Sequence, residues 1–174
     1  QHEYLTMTDT GHAFLEQSRN FLQRDFLPKI TACVGRLTDD DIWWRPNEVS
    51  NSIGNLLLHL SGNVRQWIVS GVGGAPDLRD RPREFAERDT IPRAELIERL
   101  TAALQEADQV LAKLTPDALL DRRRIQGQDV TVLEAIYHVV EHFSMHTGQI
   151  TFITKIRTGQ DLGFYRHLSA PASR

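Results

Sequence analysis

Apolar residues return every three or four positions through four long stretches of this chain, the spacing of one buried face on a helix. The first stretch, about 8–34, puts Phe14, Leu15, Phe21, Leu22, Phe26 and Ile30 on that face. Pro28 is expected to kink it or split off its last turns, because a proline ring crowds the preceding turn and has no N–H to donate. The second, about 52–70, carries Ile53, Leu56, Leu57, Leu60, Val64, Trp67 and Ile68 behind Ser50 or Ser52 as N-cap. The third, about 92–114, aligns Leu96, Leu100, Leu104, Ala107, Leu111 and Leu114, with Thr90 as its expected cap and Pro92 in its first turn. The fourth, about 131–158, opens on Thr131 and Glu134, the spacing of a reciprocal capping box, and stops at Gly159. Its buried stripe is Val132, Leu133, Ile136, Val139, Val140, Phe143 and Ile150.

The connections are long and polar. "LTDDDIWWRPNEVSNS" reads as a structured loop with its tryptophans as anchors. "SGVGGAPDLRDRPREFAERDT" reads as a long loop with room for a short helical turn. "PDALLDRRRIQGQDV" has room for a short extended piece around Ile125, and strand signals are otherwise nearly absent. The pattern predicts an all-α protein, a four-helix bundle with long connecting loops, as a single domain over 1–174. Long connections leave the spatial order of the helices open.

Composition narrows the partners more than the fold. A chain of 174 residues fits one domain with a substantial core. A net charge of −3 with scattered Lys and Arg offers no field for nucleic acid or an anionic membrane. The dense "DRRRIQ" cluster lies in a turn-like region and reads as solvated. No apolar run approaches the roughly 18 residues of a membrane span. The N-terminus lacks the basic start and apolar stretch of a signal peptide, and Gln1 suggests processing or tag residues ahead of a start at Met7. A cytoplasmic protein is the expectation. Cys33 is the only cysteine, which excludes an internal disulfide or a thiolate cluster and fits a small buried hydrophobe.

The chemistry concentrates in "YHVVEHFSMHTGQI", where His138, His142 and His146 follow at four-residue spacing. Measured against the apolar stripe, His146 falls inside the protein, His142 lies about 40° further round, and His138 is about 40° beyond that, facing outward. An i, i+4 pair is how one helix offers two imidazoles to one metal. Two histidines make a weak site, so a third ligand is expected from another helix. His59, beside the core face of the second helix, is the natural one. Three neutral imidazoles suit zinc, nickel, iron or copper and leave positions for water or substrate. Asn63 and Gln149 flank these histidines as supporting or substrate-facing candidates. The residues alone also permit a plainer reading, with His146 a hydrogen-bonded core residue, His59 a surface one, and Asn63 and Gln149 simply solvated. Glu141 points to the polar side, and no residue is assigned as catalytic.

Together, "SNSIGNLLLHLSGNVRQWI" and "HVVEHFSMHTGQI" resemble the DinB/YfiT-like group of metal-binding four-helix bundles, and "WWRPN" and "GFYRHL" resemble one branch of it. The group's pattern is a His in the second helix and an HxxxH pair just before Gly-Gln in the last long helix. His59 matches the first, and His142 and His146 match the pair, ahead of Gly148 and Gln149. The resemblance implies a divalent metal, zinc or nickel first, held by these three. It also implies a homodimer and, for some relatives, transfer of a low-molecular-weight thiol to a small electrophile. Without a placed general base, a metal-dependent hydrolase is the weaker enzymatic alternative. A non-catalytic metal-binding stress or interaction protein is the alternative from another class.

Overall fold

The computed structural model describes residues 9–88 and 91–168, apart from the side chain of His167. The expected cap Thr90 and the start at Met7 lie outside the described residues. Helix α1 (Thr10–Asn20) starts at Asp9, whose side chain accepts from the Gly11 N–H. The chain continues as a wider, π-helical stretch, Phe21–Phe26, into α2 (Leu27–Val34). The expected disturbance at Pro28 therefore falls before the proline. Pro28 cannot donate to the carbonyl of Arg24, and the wide turns, closed by Leu27 N–H to Leu22 O, absorb that loss.

A short helix, α3 (Asp39–Trp43), follows, with Thr38 and Asp41 forming a capping box. The second bundle helix is α4 (Ile53–Val64), extended by wide turns over Arg65–Val72. Of the two serines expected as its cap, Ser52 serves, and Asn55 answers it reciprocally. The long loop that follows carries α5 (Arg81–Ala86). Helix α6 (Arg93–Leu111) is the third, shorter than the 92–114 expected. Pro92 sits in the N-cap position rather than the first turn, with extended backbone. The Asp39 side chain accepts from the Arg93 N–H at 2.9 Å, which stabilises the helix start from α3.

After a 3-10 turn at Pro116–Leu120 the chain forms a hairpin of β1 (Arg122–Ile125) and β2 (Gln128–Thr131), antiparallel with Ile125 opposite Gln128. Its two-residue turn has positive φ at both Gln126 (50°) and Gly127 (76°), the backbone that matches strand twist. The extended piece expected at Ile125 is thus one arm of a hairpin. Arg122 pairs with Asp129 across it, and Arg123 with Asp121. Helix α7 (Val132–Thr158) completes the bundle, with the capping box of Thr131 and Glu134 at one end and left-handed Gly159 (φ 65°) at the other.

The four long helical units enclose one apolar core, with Leu22, Ile30, Leu57, Leu100, Ile136 and Phe143 among its fully buried members. Each such side chain contributes about 1.5–3 kcal/mol through burial. Helix α4 packs on both α6 and α7, while α2 and the wide turns before it pack on α7. That arrangement sets the middle of α4 against the middle of α7. Among the described residues no helix is long and apolar enough to cross a membrane.

Candidate metal centre

The facing stretches of α4 and α7 bring His59, His142 and His146 together. All three are buried, at 6%, 9% and 8% exposure, so the reading of His59 as a surface residue does not hold. One ring nitrogen from each lies within 4.8 Å of the others, and no further His, Cys, Asp or Glu joins the group among the described residues. Nε2 of His142 is 3.0 Å from Nε2 of His59 and 3.0 Å from Nε2 of His146. The His142 and His146 rings stand edge to face, 88° apart, with centroids 4.4 Å from each other.

Hydrogen bonding does not account for this convergence. Nε2 of His142 carries either one proton or one lone pair, yet it faces two other Nε2 atoms at bonding distance. At most one of those contacts is a well-directed hydrogen bond. Three lone pairs around a cation resolve the conflict: ligand nitrogens about 2.05 Å from a tetrahedral zinc sit about 3.3 Å apart. The observed 3.0 Å separations are close to that spacing. The group could therefore hold a metal ion.

The electrostatics favour free lone pairs. Burial, reinforced by His146, His59 and His138 and then Arg79, pushes His142 down to about 3. Burial likewise lowers His146, against the opposing hydrogen bond that its Nδ1–H donates to Gln149. Both rings are thus neutral at neutral pH and need lose no proton to act as ligands.

The distal ring nitrogens are held unequally. His146 Nδ1 lies 2.6 Å from Gln149 Oε1, so Gln149 orients a ring of the group. His59 Nδ1 lies 3.0 Å from Glu84 Oε2. His142 Nδ1 is buried with no partner. Glu84 escaped the sequence reading. The helical turn carrying it was foreseen within the long loop, but its return onto α4 depends on tertiary contacts. Burial pushes the Glu84 carboxyl up, but hydrogen bonds from Arg79 and His59 outweigh this and hold it below the usual carboxylate range.

Asn63 makes no hydrogen bond to the three histidines. Its Nδ2 lies 3.3 Å from His138 Nε2. His138 itself is not an outward-facing residue as expected. It is half-buried, its ring 4.2 Å from Trp67 and 5.4 Å from His142, and burial lowers its pKa. The wide turns over Arg65–Val72 carry Trp67 to that shoulder of α7, covering a face that periodicity along α7 alone leaves open. On the Gln149 side, a groove of about 380 Å³ is lined by Trp44, Val49, Leu56, Phe152 and Ile156 among others, with Gln149 in its wall. Trp44 also stacks beneath Arg157, at 4.9 Å.

Similar folds occur among solved structures. A conserved protein from Enterococcus faecalis is 16% identical with a TM-score of 0.67, covering 83% of this chain and 97% of that one. A DinB-like protein from Bacillus cereus ATCC 10987 is 14% identical with a TM-score of 0.65, covering 85% of this chain and 93% of that one. At such identities the likeness is one of fold. No curated protein matches the chain. The family model described as "Protein of unknown function (DUF1572)" matches residues 9–174, nearly the whole sequence. The chain therefore belongs to the DUF1572 family, and its fold is similar to that of a DinB-like protein.

Proposed function

We propose that the protein binds a divalent transition metal through His59, His142 and His146 and uses it to transfer a low-molecular-weight thiol to a small electrophile. The observation that carries this reading is the ligand set: three converging imidazoles, with no fourth His, Cys, Asp or Glu in the group among the described residues. A closed structural site has four protein ligands, whereas three leave a position for an exogenous one. Zinc or nickel suits this donor set best, and iron or copper also accepts imidazole. Such an ion lowers the pKa of a thiol or water bound to it and so supplies a nucleophile near neutral pH.

The chain's own residues favour thiol over water. A hydrolase needs a base near the open position. Glu84 lies on the Nδ1 side of His59 and is tied to Arg79, and Glu141 is exposed. A thiol that binds already ionised needs no such base. The groove walled by Gln149 and apolar side chains suits the apolar body of an electrophile. We further propose that the protein acts in the cytoplasm as a homodimer.

The test is thiol-transfer activity toward chlorodinitrobenzene, with several biological thiols, for protein loaded with zinc or nickel. Thiol-dependent turnover that disappears in His146→Ala is the expected result, and turnover unaffected by that change overturns it. Metal binding without turnover of any thiol would favour the non-catalytic alternative, and hydrolysis without a thiol would favour the hydrolase.

A further inference from the structure

The segment running from Arg79 to Glu87 closes over the outer side of α4, and four residues of α4 and the wide turns after it are shaped to receive it. Asn55, one turn before His59, donates through Nδ2 to the carbonyls of Glu84 (3.0 Å) and Glu87 (3.1 Å). Its Oδ1 is fixed in turn by the N–H and hydroxyl of Ser52. Gly62 makes room: a Cβ there would stand 1.9 Å from Glu84 Oε1. Gln66 accepts from Arg79 Nη1 at 2.9 Å. Finally, the His59 ring lies 4.7 Å from that of Phe85.

Within this wall Glu84 is 9% exposed and its carboxylate is doubly bound by Arg79, through Nε at 2.7 Å and Nη2 at 2.9 Å. Nδ1 of His59 faces both partners at 3.0 Å, Glu84 Oε2 and Arg79 Nη2. The guanidinium has only donors and the carboxylate only acceptors. A protonated Nδ1 therefore donates to Glu84, and a bare Nδ1 accepts from Arg79. The two neighbours favour opposite tautomers of one ring. Oε2 is the charged acceptor, and Arg79 commits three of its five N–H groups to Glu84 and Gln66, so the Nδ1–H form, donating to the carboxylate, prevails.

We infer that Glu84 is the positioning residue of this centre: it accepts a hydrogen bond from the Nδ1–H of His59 and so fixes the tautomer whose Nε2 lone pair faces His142 and His146. Arg79 anchors the carboxylate and becomes an opponent once the carboxylate is gone. This inference rests on the metal-binding reading for its purpose, but the tautomer it assigns to His59 is a property of the metal-free chain. Carboxylate partners of this kind typically change metal affinity by about 10–100-fold.

Two readouts on the full chain test it. Side-chain nitrogen NMR of the metal-free protein should find His59 protonated at Nδ1 in the wild type and at Nε2 in Glu84→Ala, where Arg79 donates to Nδ1. Zinc affinity, measured by competition with a chromophoric chelator, should fall by about 10–100-fold in Glu84→Ala. Glu84→Gln, whose amide oxygen still accepts, should restore the Nδ1–H tautomer and most of the affinity. Should Glu84→Ala not fold, Glu84→Asp keeps the charge beside Arg79 but withdraws it from His59, and it should shift both readouts in the direction of Glu84→Ala. Folded variants with the wild-type tautomer and wild-type zinc affinity overturn the inference, as does a Gln variant no better than Ala. If the tautomer follows Glu84 while His59→Ala leaves zinc affinity unchanged, the metal-binding reading fails and the positioning of His59 stands.

Discussion

His142 is held neutral by burial first and by the neighbouring imidazoles of His146, His59 and His138 next, which lowers it to about 3. The unfolded chain takes up a proton near the ordinary value of about 6.5, before the folded one does. The contribution of this ring to the stability of the metal-free protein is therefore complete above about pH 6.5 and is lost as pH falls toward 3. His146 and His138, also lowered, act in the same direction. Between pH 6.5 and 4.5 His142 alone removes on the order of 2–3 kcal/mol. Denaturant midpoints of metal-free protein across that range should fall steeply for the wild type and less steeply for His142→Gln. Equal slopes would contradict this. Much of the centre at this scale is legible in the sequence, because angle around a helix is a local property. The apolar stripe of α7 turns His142 and His146 inward, and His59 lies beside the stripe of α4. His138 shows the limit. Its exposure depends on Trp67 and Asn63 of another helix, which no angle along α7 encodes.

The elements are stabilised by short-range signals, and these were the most readable part of the chain. Thr131 and Glu134 bond reciprocally, the Thr131 hydroxyl accepting from the Glu134 N–H at 3.1 Å and Glu134 Oε2 accepting from the Thr131 N–H at 2.6 Å. Thr131→Ala should cost about 1 kcal/mol of stability, read as a shift in the denaturation midpoint with the far-ultraviolet spectrum unchanged. A variant as stable as the wild type would show that the hairpin, rather than the cap, holds that end of α7. Less local features escaped. The wide turns over Arg65–Val72 contain no proline and leave the apolar spacing of the stretch intact, so nothing in the pattern announces them. Helix α5 is six residues long in a charged loop, and its importance lies in where Asn55 and Gly62 dock it. That docking joins residues 22 to 29 apart in sequence, which hydrophobic periodicity does not register.

For the whole molecule, burying the four amphipathic faces produced the foreseen architecture, with the small hairpin as an addition. The outer face of α7 remains notable for what it exposes. Tyr137, Met145, Phe152 and Ile156 are 63%, 48%, 66% and 53% exposed. Their positions fall within about 100° of arc. An apolar stripe of that kind supports the proposed homodimer. Sedimentation should give a dimer for the wild type and a monomer for Met145→Glu with Phe152→Glu, with the helical spectrum retained. A monomeric wild type at micromolar concentration would refute that proposal without touching the metal centre.

The central claim concerns three side chains from two helices, and metal content tests it most directly. Tag-free protein, titrated with zinc against a chromophoric chelator, should bind one ion per chain, and the His59→Ala, His142→Ala double variant should bind none under the same conditions while keeping its helical spectrum. Full retention of zinc by that variant would contradict the account.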